Sequence, residues 1–306
     1  MRRVIALTTA LVLLPASVAL GADLDELLER SGEASYSAEQ IITCSTPDGV
    51  RDAVVRITQN AGEIRVGAPI DSDLSVASGY GGYTLLRGGD VVSSSAVEAA
   101  TDEVVPRYVV DDGVPRMFLG RDATLYRMVG DGLVRAELLI DLEIGALLRV
   151  VTFDADGQVY CERRFISFDT SPAPVDVSDP VEIEPIQSSN AVTDLPEALG
   201  GFTRLDLYSD DDGFTFAYYS DGFFSFAVFE TPSVVQLSEP STFEIHGESY
   251  DRSFTPGQVT FSWESRSGGM ALIGDLPPDM HQTVLDGLPD PHNPGLFRRL
   301  WRSLFG

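Results

Sequence analysis

The residues of this chain that could do chemistry are few: three histidines, two cysteines and several aspartate-rich turns. His246, His281 and His292 never stand four residues apart with a glutamate between them, so the helical zinc-hydrolase arrangement has no support. All 21 basic residues are arginine, which removes Schiff-base chemistry and lysine-activated serine together. No Gly-x-Ser-x-Gly elbow occurs, and no Gly-x-Gly-x-x-Gly run follows a strand pattern. "DADG" at Asp154–Gly157 and "SDDDG" at Ser209–Gly213 offer oxygen ligands, but neither continues in register to the bidentate glutamate that closes a calcium loop. Both read as hairpin turns. The expectation is a chain that is not an enzyme and uses no metal or cofactor, with His281 a half-exposed helix residue.

Cys44 in "QIITCS" and Cys161 in "QVYCERRF" both lie in strand-like runs. In an exported chain an even pair suggests one disulfide, joining distant strands of one sheet or barrel and contributing roughly 4 to 5 kcal/mol by closing so long a loop. Two separate buried thiols are the alternative. The other unusual stretch is "YYSDGFFSFAVFE", Tyr218–Glu230, where a two-residue turn is expected at Asp221-Gly222. Phe224, Phe226 and Val228 alternate with Phe223, Ser225, Ala227 and Phe229, so neither face suits water and the ribbon must be covered. The first three read as core, while Tyr219 and Phe223 are the candidates for contact with a partner.

The elements that position these residues are mostly strands. Residues 1–21 place two arginines before an apolar run and end on a small-x-small site, the pattern of an export signal. The exported chain is expected outside the cytoplasm, in the periplasm or otherwise at the cell envelope. A formal net charge of −26 repels nucleic acid. The same acidity attracts a basic protein segment or simply serves solubility.

A first domain, residues 22–169, opens with "DLDELLERS", whose Leu24, Leu27 and Leu28 share a helical face, and continues as antiparallel strands. In it Val134, Ala136, Leu138 and Ile140 alternate with Arg135, Glu137 and Leu139, giving a sheet with one covered face. Residues 170–193 read as a linker and 194–290 as a smaller α+β domain. That domain ends in a helix started by Pro277-Pro278, with Met280 and Val284 on one face and a cap at Gly287. In the tail, 291–306, Leu296, Phe297, Leu300, Trp301 and Leu304 form an apolar stripe beside Arg298, Arg299 and Arg302. This fits an interfacial membrane helix seated through Phe297 and Trp301, or one docked on its own acidic domain.

Three segments carry a resemblance. "DLEIGALLRVVTFDADGQVYCERRFISFD" in the first domain, and "YYSDGFFSFAVFE" followed by "LIGDLPPDMHQTVLDGL" in the second, resemble the RseB/MucB family over about residues 34–290. The likeness is weakest between Gly67 and Pro115. It implies an α+β, mostly antiparallel fold: an incomplete β-barrel like that of LolA-type carriers, with helices inside it and a cavity for acyl chains, then the smaller domain. It also implies a function, binding the extracytoplasmic part of a membrane-bound anti-sigma factor until a lipid or lipoprotein signal releases it. A LolA-like lipid or lipoprotein carrier is the alternative.

Overall fold

The computed structural model describes residues 27, 30, 34–47, 49–60, 63–67, 74–79, 82–87, 90–96, 108–171, 193, 195–209, 214–237, 239–255 and 257–292. The expected export signal, most of the linker and nearly all of the tail, with Phe297 and Trp301, lie outside them.

The period-two pattern of the first domain becomes strands β1 (Ser35–Thr46), β2 (Gly49–Asn60) and β3 (Glu63–Gly67). A three-stranded meander follows, made of β4 (Leu74–Gly79), β5 (Gly82–Arg87) and β6 (Asp90–Ala96). Then come β7 (Tyr108–Val110), β8 (Val114–Phe118), β9 (Arg121–Gly130), β10 (Leu133–Asp141), β11 (Leu147–Phe153) and β12 (Val159–Asp169). All but the meander join in one antiparallel sheet of order β3-β2-β1-β12-β11-β10-β9-β7, with β8 paired to the lower part of β9. The sheet does not close, because β3 lies at one end and β7 and β8 at the other. The fold class is therefore α+β, mostly antiparallel β, with an open barrel-like first sheet.

Local chemistry sets the turns. Asp131 and Gly132 both take positive φ, 53° and 77°, which is the backbone a two-residue turn needs to match strand twist. Asp154 accepts the N–H groups of Asp156 and Gln158, and Asp141 those of Glu143 and Ile144. Asp141 also receives Arg121 Nε at 2.5 Å, a buried carboxylate paired with a cation that it holds above the ordinary guanidinium pKa through this hydrogen bond.

One face of this sheet is apolar. Tyr126, Met128, Ala136, Leu138, Ile140 and Val150 cluster around Leu27, whose side chain is wholly buried and contributes about 2 kcal/mol. Leu27 and Arg30 are helical, and Arg30 Nη1 donates to Leu142 O at 2.9 Å. The opposite face carries a charge ladder across four strands, Arg127–Glu137, Glu137–Arg149, Arg149–Glu162 and Glu162–Arg164, at 2.7 to 3.9 Å. The ladder's side chains are partly exposed and its pairs are worth little individually, while beside it Leu139 joins a further buried cluster with Tyr36, Leu148 and Phe165.

The second sheet contains β13 (Ala198–Leu199), β14 (Phe202–Ser209), β15 (Thr215–Ser220), β16 (Ser225–Thr231), β17 (Ser241–Ile245), β18 (Glu248–Thr255), β19 (Gln258–Glu264) and β20 (Gly269–Gly274). Their order is β13-β14-β15-β16-β20-β19-β18-β17, so the aromatic ribbon β15–β16 sits in the interior of the sheet. Both of its faces are indeed covered. Phe224, Phe226 and Val228 join one cluster with Phe202, Tyr219 and Phe261, and Ala227 and Phe229 join another with Phe214, Phe216 and Tyr218.

The helix α1 (Pro278–Leu285) packs on the first cluster through His281, Val284 and Leu285. Met280 and Val284 share the face that packs on this cluster, as expected, but His281 lies there too and is a core residue rather than half-exposed. Its burial is tolerated because Nε2 lies 2.9 Å from Leu276 O. Gly287 follows the helix, and a Cβ there would meet Leu199 Cδ1 at 2.3 Å, so that side chain would have to shift.

Gly274 is tighter still: an added Cβ would come within 2.4 Å of Phe226 Cβ and 2.6 Å of Ser225 O. Gly274→Ala must push β16 and β20 apart and is expected to cost about 3 kcal/mol in urea denaturation. Gly120→Ala, at an open turn with positive φ, is the control for backbone strain alone and should cost about 1 kcal/mol. An unchanged midpoint for Gly274→Ala would contradict the β16–β20 register.

Candidate functional site

Where the two sheets meet, charged and aromatic side chains converge at two places. The first lies at the end of β15–β16. The last strand pair is Ser220 with Ser225, so the turn holds four residues rather than two, with Gly222 at φ 96° and Phe223 at the tip. Asp221 shapes it by accepting the N–H groups of Phe223 and Phe224 at 3.1 and 2.9 Å. Its other oxygen receives the Tyr108 hydroxyl of β7 at 2.5 Å. Phe223 then packs on both the Leu27 cluster and the second sheet's core, edge-on to Tyr108 at 6.0 Å.

Beside this turn stands Arg135, only 4% exposed. Strand alternation groups it with Glu137 on the face of the charge ladder. A register shift between Val134 and Ala136 opposite β9 breaks that alternation, turning Val134 outward and Arg135 toward the second sheet. There its guanidinium makes a two-point pair with Asp279 of α1, at 3.0 and 3.3 Å, and lies over the Phe224 ring. Its Nε has no hydrogen-bond partner, so Asp279 carries almost all of its compensation.

The second place is on β1 and β12. Cys44 and Cys161 are direct cross-strand partners, joined by a disulfide across 117 residues of chain. Gly257, in the β18–β19 turn at φ 87°, donates its N–H to Cys44 Sγ at 3.2 Å. Arg163, two residues beyond Cys161 in sequence, donates to Gly257 O at 2.9 Å and lies 3.6 Å from Asp275. Asp275 also accepts Ser225 N–H at 3.1 Å; burial raises its pKa and the Arg163 charge opposes that rise. Val150, Thr152, Tyr160, Cys161, Arg163 and Asp275 line a recess with room for about one water.

Of the candidate residues that the sequence offers, Cys44, Cys161 and Phe223 belong to this seam. Tyr219 does not: its ring is fully buried, stacked on Phe226, with its hydroxyl donating to Pro196 O at 2.7 Å, so it presents no surface to a partner. Tyr108, Arg135, Arg163, Asp275 and Asp279 are the residues that sequence reasoning missed. Asp279 carries a faint signal, an acid in the first turn of a proline-started helix. Arg135 carries none, since the bulge that redirects it is not marked by a glycine. Among the described residues no group of three or more His, Cys, Asp or Glu side chains is placed to hold a metal ion.

The chain is similar to MucB. Against the solved MucA/MucB complex from Pseudomonas aeruginosa it is 18% identical, covering 89% of this chain and 100% of that one, with a TM-score of 0.47. Against a structure of MucB in complex with MucA(peri) it is 16% identical, covering 88% and 98%, again with a TM-score of 0.47. A LolA superfamily protein from Nitrosomonas europaea matches at 11% identity and TM-score 0.20, covering 84% of this chain and 96% of that one. No protein-family profile and no curated protein matches the chain.

Two outcomes follow from the seam and its surroundings. In a double-mutant cycle with Arg135→Met and Asp279→Asn, each single change leaves a partner uncompensated, and a coupling of about 2 kcal/mol is expected; a coupling near zero would show the pair to be incidental. His281 is 1% exposed and burial lowers its pKa to about 4, against about 6.5 unfolded. The unfolded chain takes up this proton first as pH falls, so His281 removes stability between about pH 6.5 and 4, on the order of 3 kcal/mol in total. NMR titration should find its ring neutral down to about pH 4.5, and a midpoint near 6.5 would contradict its burial.

Proposed function

We propose that this protein is an extracytoplasmic regulator that binds the exported part of a membrane-bound anti-sigma factor, and that it is not an enzyme. One observation carries the reading. The segments that resemble the RseB/MucB family supply one partner of each seam contact: "YYSDGFFSF" supplies Asp221, Phe223 and Phe224, "LIGDLPPDMH" supplies Asp275 and Asp279, and "QVYCERRF" supplies Cys161 and Arg163. Residues that a single sheet would not need are thus spent on fixing one sheet against the other. That is what a rigid two-part binding body requires, and what a single-domain carrier does not.

The acidity of the chain favours a partner with exposed basic residues, since complementary charge speeds encounter and rejects polyanions. An apolar sheet face that relies on Leu27 and Phe223 for cover is also a surface on which an acyl chain could compete. This supports lipid or lipoprotein as the releasing signal, and keeps a LolA-like carrier as the second reading. The tail segment with Phe297 and Trp301 belongs to the same proposal, as a contact with the membrane in which the anti-sigma factor sits.

The direct test is gel filtration of the full-length exported protein with the extracytoplasmic segment of an anti-sigma factor encoded in the source genome. A one-to-one complex that weakens at high salt is expected. No complex, together with an acyl lipid retained in native mass spectrometry, would transfer the assignment to the carrier reading.

A further inference from the structure

We propose that the Cys44–Cys161 disulfide is a site of thiol–disulfide exchange gated by the seam: closed while the sheets are docked, open to a dithiol reductant when they part. The disulfide joins β1 to β12 on the side that the second sheet approaches, and it is covered there. Cys44 and Cys161 are 3% and 5% exposed, and Gly257 of the second sheet sits on Cys44 Sγ through its N–H. A cross-strand disulfide has no need of that contact. An incoming thiolate needs access to a sulfur, and in the docked arrangement the β18–β19 turn, with Arg163 packed on it, shields Cys44 Sγ.

The coupling runs in both directions. Arg163 ties Cys161's strand to Gly257 and Asp275, so a shift of β12 on loss of the disulfide moves the cation that holds the second sheet. Conversely, undocking frees Arg163 beside the sulfurs, and a nearby cation favours departure of a thiolate. The exchange balances with a dithiol alone. Its thiolate bonds to one sulfur and the other leaves as a thiolate that takes a proton. The reductant's second thiol then resolves the mixed disulfide, so two electrons pass to the pair and the reductant departs as a disulfide. Opening of the seam costs the Tyr108–Asp221 and Arg135–Asp279 contacts, which lie elsewhere on the sheet and touch neither cysteine. A signal that loosens the far end of the seam therefore exposes the sulfurs at the near end.

The inference stands whether or not the partner is an anti-sigma factor. Its test uses the full-length oxidised protein and dithiothreitol under native conditions, with acid quench and mass-spectrometric counting of alkylated thiols. Asp279→Asn and Phe223→Ala, both remote from the cysteines, should raise the reduction rate about tenfold over wild type, while all three proteins react alike in denaturant. If Phe223→Ala fails to fold, the milder Asp279→Asn carries the comparison. Reduction of wild type should in turn speed hydrogen exchange at Gly257 and at residues 221–224 without loosening β15 and β16. Equal native rates in variants and wild type, or exchange changes confined to β1 and β12, would overturn the proposal.

Discussion

The apolar face of the first sheet takes part of its cover from the second sheet. Six strand residues, from Tyr126 to Val150, present hydrocarbon on one side of a sheet whose strand order is open. Among the described residues, cover comes from Leu27 of the preceding helical turn, from Tyr108, Val110, Leu142 and Leu147 at the margins, and from Phe223 at the tip of the second sheet's ribbon. Once Phe223 must reach that face, the four-residue turn, the Asp221 carboxylate that shapes it and the Tyr108 hydroxyl that receives it all follow from one requirement. An aromatic inserted from a separate sheet has to be held at a fixed angle and depth.

Electrostatics then fixes what hydrophobicity only favours. Arg135 and Arg163 each project from the first sheet onto a carboxylate of the second domain, Asp279 and Asp275; Arg135 is buried and Arg163 about a third exposed. Such pairs are weak evidence of net stability, because desolvation consumes much of their attraction. Their effect is on geometry: a displaced second sheet leaves the buried Arg135 without its carboxylate.

Much of the fold was legible from residue order. Strand periodicity and Asp-Gly turn chemistry gave the four strands from Arg121 to Asp169, and the doubly apolar ribbon announced that both its faces would be buried. The pairing of Cys44 with Cys161 followed from their even number and strand setting. The seam was not legible, for reasons that are local. A one-residue bulge near Arg135 reverses inside and outside without any glycine to mark it, and a hydrogen-bonded imidazole lets His281 enter the core where its polarity suggested the surface. Tyr219 and Phe223 were equal candidates in the ribbon, yet the end of a strand and half of a turn separate an interior ring from one that packs across the seam.

The account rests on the two sheets behaving as one body joined at the seam. Differential scanning calorimetry of the oxidised protein tests this most directly. One transition, with calorimetric and van't Hoff enthalpies in agreement and a midpoint lowered as a whole by Arg135→Met, is the expected result. Two separable transitions, with neither moved by that substitution, would mean that the sheets fold independently and that the contacts between them hold nothing in place.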